Sequence, residues 1–130
     1  MIPIIDSCLV CDLVRPELGG KLSILGFYGV CPRVDVALQQ LDQPTVLTFV
    51  FAGGQSEGSF SLVFDVVDAA DRIIASTAPQ QFEANPKTVT VLAPTLLLVF
   101  GNAGQFAARF LVDGQEQFRA SFHISQAVTA

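Results

Sequence analysis

Cys8-Leu-Val-Cys11 is the first stretch of this chain with residue types and spacing suited to chemistry. Two thiols three apart hold a metal when they sit in a turn, or cycle as a redox pair when they open a helix. Neither setting is expected here. Ser7 to Val14 reads as a strand, with Leu9, Cys11 and Leu13 on one face and Cys8, Val10, Asp12 and Val14 on the other. An offset of three on a strand sends the two thiols to opposite faces. Cys31 is a third thiol, but no second Cys-x-x-Cys or Cys-x-x-His completes four ligands. The reading is of buried structural thiols, with no metal and no cofactor.

Asp12, Arg15, Glu17 and Lys21 form a second group, a polar patch around the first hairpin. It is either a recognition patch at one end of the fold or a set of turn charges that pair with one another. Each exposed pair of that kind is worth about 0–1 kcal/mol. Asp12 interrupts an apolar face and so must lie near a strand end or be paired, with Arg15 or Lys21 as the expected partner.

Asp65, Asp68 and Asp71 surround one turn. Sandwiches of the C2 type bind calcium through loop aspartates, and the ion asks for about six to eight oxygens. The other reading is an ordinary aspartate-rich turn. His123 is the lone histidine. Ser121 and Ser125 share its strand face, but side chains two apart on a strand are neighbours and do not form a triad. There is no Gly-x-Ser-x-Gly elbow, His-Glu-x-x-His or P-loop. No catalytic, cofactor-binding or metal residue is assigned, and no enzyme is expected.

The elements that must position these residues have a period of two almost throughout. Arg15 to Gly20 is a turn, with Lys21 to Val30 as the return strand and Gly26 inside it marking a bulge or a close backbone approach. Arg33 to Leu38 is a short strand. Gln39 to Pro44 is a loop with room for one helical turn. Thr45 to Ala52 places Leu47, Phe49 and Phe51 on one side, and Phe60, Leu62, Phe64 and Val66 alternate after it. Asp68 to Asp71 turns the chain into Arg72 to Thr77 as a hairpin with a four-residue loop. Ala78 to Lys87 is polar and reads as a crossing between sheets. Thr88 to Leu92 and Leu96 to Phe100 are strands split by Ala93-Pro94. Phe106 to Val112 and Phe118 to Ile124 form the last hairpin, and Asp113-Gly114 is a primed-turn signal. This pattern predicts an all-β, immunoglobulin-like antiparallel sandwich of about eight to nine strands.

Val46 to Ala52 and Leu96 to Phe100 are apolar on both faces, although a sandwich strand needs only one buried face. Their outer faces are covered either by a loop of the chain or by a partner. Composition bears on the same question. The chain is 51% hydrophobic and only 15% charged, against about 25% charged in typical soluble domains. Either a partner hides apolar surface, or a well-packed core lies beneath a Ser/Thr/Gln surface.

A length of 130 residues fits one domain, residues 1–130. The net charge of −5, with no basic run, gives no footing for nucleic acid. No apolar run reaches the ~18–20 residues that span a bilayer, so no membrane insertion is expected. The N-terminal residues lack signal-peptide features, and an odd cysteine count fits a reducing compartment, so the expected location is cytoplasmic.

The run from Cys11 to Tyr28 resembles the opening hairpin of a family of small bacterial proteins of unknown function. Its members share a Cys-Asp-x-x-Arg-x-Glu-x-Gly-x-Lys-x-Ser-x-x-Gly-x-Tyr pattern. Phe64 to Asp68 and the closing hairpin from Gly104 to Gly114, ending in Phe122-His123-Ile124, are similar to theirs as well. The resemblance implies a sandwich and supplies no activity, cofactor or site residue. The expected function is therefore a non-catalytic binding or assembly module acting through an apolar sheet face or edge. Its partner is itself or another protein. The alternative is a sandwich that binds calcium or a small ligand through loop carboxylates.

Overall fold

The period-two alternation becomes eleven strands in the computed structural model, which describes residues 4–127 apart from 86, 88 and 89. They are β1 (Ile5–Pro16), β2 (Leu22–Val30), β3 (Asp35–Leu38), β4 (Thr45–Gly53), β5 (Gly58–Asp68) and β6 (Ile73–Ser76). Then follow β7 (Gln80–Ala84), β8 (Thr90–Leu92), β9 (Thr95–Leu98), β10 (Gly104–Val112) and β11 (Gln115–Gln126). Sheet A runs β2-β1-β4, with β8 and β9 sharing the far edge of β4. Sheet B runs β3-β11-β10-β5, with β6 and β7 sharing the far edge of β5. The expected immunoglobulin-like sandwich is the fold observed, with two departures: eleven strands stand where about eight to nine were expected, and β3 runs parallel to β11.

The core lies between the two sheets and is built on phenylalanine. Phe49 and Phe51 of β4 meet Phe122 of β11 and Phe64 of β5, each pair with ring centres 5.4 Å apart. Phe110 and Phe106 of β10 extend the layer. Such pairs add about 0.5–1.5 kcal/mol each beyond the area they bury. The alternating residues expected to face inward on β4, β5 and β10 do so, as do Ala120, Phe122 and Ile124 on β11. Asp113 and Gly114 both take positive φ, as a type I′ turn requires.

Two expectations need correction. Ala78 to Lys87 is not simply a crossing, because β7 lies within it and pairs with β5 from Gly58 to Leu62. Phe82 packs against the core while Gln80, Gln81 and Glu83 stay exposed. Phe82 is the one large apolar residue of the five, with only the small Ala84 in alternation, too little to announce a strand. The Gln39–Pro44 segment turns without forming a helix. Both far edges are interrupted in a similar way. The Pro94 carbonyl accepts the Phe49 N–H at 3.0 Å between β8 and β9, and Thr77 bonds the Phe64 backbone between β6 and β7. β4 of sheet A and β5 of sheet B thus each carry a split partner bent around a gap.

Candidate functional site

The first hairpin outruns the rest of the sandwich, and its register decides where the polar residues fall. Val10 pairs with Gly29, but Cys11 pairs with Phe27, so Tyr28 is an extra residue bulged into β2. Beyond the bulge, Asp12 stands opposite Gly26. Gly26 has φ +66°, and a Cβ there would collide with the Asp12 carboxylate. The space is used: Tyr28 Oη donates to Asp12 Oδ1 at 2.8 Å. The expected partner of Asp12, Arg15 or Lys21, is therefore wrong. Arg15 Nε donates instead to Glu17 Oε1 at 2.9 Å, and Ser23 Oγ donates to the same oxygen at 2.8 Å. Lys21 contributes its carbonyl, which accepts the Glu17 N–H at 2.8 Å and closes the turn. The four residues split into two small clusters that hold the hairpin, and they do not converge on a common point. Sequence reasoning missed Tyr28 because the bulge that aims it at Asp12 leaves only Gly26 as a trace.

Burial, reinforced by the hydrogen bond to Asp12 and its charge, pushes the Tyr28 phenol up to about 12. Tyr28 is the sole tyrosine of a chain without tryptophan, so tyrosinate absorbance reports on it alone. A titration of the folded protein is expected to show a midpoint near 12, against 10.0 for an unperturbed phenol. A phenol whose folded value is raised favours folding fully below its unfolded value. That contribution is lost as pH climbs from about 10 to about 12. A folded-state midpoint at the ordinary value would refute the Asp12–Tyr28 bond. Replacing Gly26 with alanine forces a positive φ on a side chain and displaces the Asp12 carboxylate. A loss of about 1–3 kcal/mol in urea unfolding is expected, together with a lowered Tyr28 midpoint.

The aspartates near the β5–β6 turn do not form a cation cradle. Asp65 lies on the outer face of sheet B, only 2% exposed. Arg109, directly opposite it on β10, binds it in a fork, Nε to Oδ1 at 2.7 Å and Nη2 to Oδ2 at 2.6 Å. Asp68 accepts the backbone N–H groups of Ala70 and Arg72 and the Arg72 Nε, and the Arg72 amide foremost holds its carboxyl below the usual range. Asp71 receives Arg119 Nη1 at 2.7 Å. Glu116 joins Arg119 to Arg109 and is itself held low by the Arg119 hydrogen bond. Each of the three aspartates is thus bound to a guanidinium, and among the described residues no cluster of His, Cys, Asp and Glu is placed to hold a metal. The calcium alternative is set aside on that ground.

His123 Nδ1 lies 3.1 Å from Asp35 Oδ1, and Ser125 Oγ donates to Asp35 Oδ2 at 3.2 Å. The imidazole and the hydroxyl both turn to the same carboxylate. Ser125 is therefore not hydrogen-bonded to the histidine that would have to take its proton. The surface depression beside Asp68, Arg72, Asn102 and Phe106 holds the Asp68–Arg72 pair already described.

Sheet B therefore presents an outer face laced with ion pairs. Sheet A presents the opposite. Alternation from the buried Val10, Phe49 and Leu98 places Leu9, Cys11 and Leu13 of β1 outward. Pairing adds Leu25 and Phe27 of β2, Val46, Thr48 and Val50 of β4, Val91 of β8 and Leu97 of β9. Cys11 and Thr48 oppose each other at its centre and are buried. Phe27 is 58% exposed, Leu97 64% and Val46 50%. No residue of this set is charged. Cys11, Thr48 and Val50 close the middle of the face to water, so its exposed apolar residues fall in two flanks, Leu13, Leu25 and Phe27 on one side and Val46, Val91 and Leu97 on the other. The loop cover that the sequence allowed is not there for Val46 and Leu97. β2 closes the face with a free edge of nine residues, Leu22–Val30, containing no proline and no charge. Natural edge strands usually block pairing with a charge, a proline or a bulge, and β2 has only the bulge at Tyr28.

No family model and no curated protein matches this chain. Two solved structures share its general outline, both of glycosyl hydrolase family 2 members, from Bacteroides cellulosilyticus and from Bacteroides cellulosilyticus DSM 14838. Each is 10% identical and covers 95% of this chain, with TM-scores of 0.48 and 0.49. The chain spans 26% and 27% of the length of those two chains. Likeness at this level carries no activity to the present protein.

Proposed function

We propose that this chain is a non-catalytic binding or assembly module that associates with its own kind through the outer face of sheet A and the adjoining edge of β2. The observation that carries the reading is the contrast between the two outer faces. Sheet B laces its outer face with ion pairs, whereas on sheet A the outward Arg15 pairs only at the hairpin end and the body of the face leaves Phe27, Leu97 and Val46 in water. Exposed apolar area of this kind gains about 25 cal/mol per Å² when it is covered. The same face is available to a second copy without any rearrangement of the sandwich, and a symmetric pair uses one patch twice. The β2 edge supports the reading on its unbulged stretch from Leu22 to Leu25, where unpaired backbone groups on an uncharged strand pair readily with another strand. The membership suggested by the opening hairpin is compatible with this role. The test is the oligomeric state of the protein at high micromolar concentration. Association that lysine at Phe27 and Leu97 abolishes supports the proposal; a strict monomer overturns it.

A further inference from the structure

The cysteine pair that matters is not the one the sequence spacing suggests. Cys8 faces the core and Cys11 the outer face of sheet A, so those two thiols are separated by the sheet. Before the β2 bulge, Leu9 pairs with Val30 and Val10 with Gly29, and the next step of that register sets Cys8 against Cys31. The Cys31 N–H donates to the Cys8 carbonyl at 2.9 Å, which marks the two as an opposed, hydrogen-bonded pair. Cα atoms of such a pair lie about 5.5 Å apart, within the usual disulfide span of about 4.4–6.8 Å. Both side chains turn to the core side, Cys8 inside it with its thiol donating to the Leu9 carbonyl at 3.7 Å, and Cys31 packed against its rim.

We propose that Cys8 and Cys31 form a reversible redox site, oxidised to a cross-strand disulfide by a low-molecular-weight disulfide of the glutathione class. Opposed Cβ atoms start about 4.5–5.5 Å apart and must close to about 3.5–4.5 Å. Cys31 supplies the movement, because it is the first residue of the turn after β2 and is only partly buried. It is also the nucleophile. Its thiol is partly open to a small disulfide while that of Cys8 is buried, and the neighbouring thiol shifts Cys31 downward in pKa as that neighbour and burial shift Cys8 upward. The Cys31 thiolate attacks one sulfur of the small disulfide, forming a mixed disulfide and releasing one small thiolate. Cys8 then gives up its proton and attacks the Cys31 sulfur, expelling the second small thiolate. Two protein thiols are oxidised and one small disulfide is reduced to two thiols, which take up the two protons. The bond ties β1 to the start of the connection from sheet A to sheet B and leaves Cys11 free.

The experiment is incubation of the wild-type protein with glutathione disulfide, followed by thiol titration in denaturant, intact mass and peptide mapping. The expected product is two hydrogens lighter than the reduced protein and retains one free thiol, Cys11. A peptide linked through Cys8 and Cys31 is recovered, and the starting mass returns on treatment with dithiothreitol. In Cys8→Ser the reaction is expected to stop at a single glutathione adduct on Cys31, while Cys11→Ser oxidises as the wild type does. Three thiols left free, a link that includes Cys11, or a wild-type product that remains a glutathione adduct would each overturn the proposal.

Discussion

Replacing Arg109 with alanine is expected to destabilise the protein by about 3–5 kcal/mol, seen in urea unfolding as a lower midpoint at unchanged slope. Asp65 is 2% exposed, and Arg109 supplies it with two short, parallel bonds across the β5–β10 pair. Removing the guanidinium leaves a carboxylate shut away from water without that fork, and an uncompensated buried charge is among the costliest single changes. Asp65→Ala is expected to cost less. The Arg109 side chain is 16% exposed and keeps Glu116 at 3.4 Å, so the residual charge is better served. The double substitution Asp65→Val with Arg109→Met removes both charges at similar volume and is expected to recover most of the loss. An Arg109→Ala variant within 1 kcal/mol of wild type, by this rough scale, would show that the pair is not buried as described.

The second large effect is on association. Phe27→Lys combined with Leu97→Lys is expected to weaken self-association at least a thousandfold. Hot-spot side chains cost about 2 kcal/mol or more each when lost, and about 4 kcal/mol is roughly three decades in affinity. Folding stability is expected to stay within about 0.5 kcal/mol, because substitutions of side chains already in water usually do. Phe27 and Leu97 are more than half exposed and lie on strands at opposite sides of sheet A. The converse control is Arg119→Glu on sheet B. It breaks the contacts to Glu116 and Asp71 and is expected to leave association unchanged. A sheet-B change that dissolved the assembly, with the lysine pair leaving it intact, would move the interface to the other face.

Much of this fold was legible in the sequence, and its limits have physical causes. Phe60 to Val66 and the hairpin around Asp113-Gly114 announce themselves, because alternation and a required positive φ are local properties. The partnerships of charged residues are not local. Asp65 and Arg109 sit on strands paired far apart in the chain, so Asp65 reads as a turn aspartate until register is known. The Tyr28 bulge is one residue, yet it decides both Asp12's partner and which cysteine faces which. The two-faced apolar character of β4 and β9 was visible as composition, but whether a loop covers the outer half is a matter of path. The path leaves it bare at Val46 and Leu97.

The account rests most heavily on the outer face of sheet A, and sedimentation equilibrium of the wild-type protein tests it most directly. Run from low to high micromolar concentration, the experiment is predicted to show a mass rising from one chain to a dimer or larger closed assembly. A mass that stays at one chain of 13.9 kDa across the whole range would contradict it.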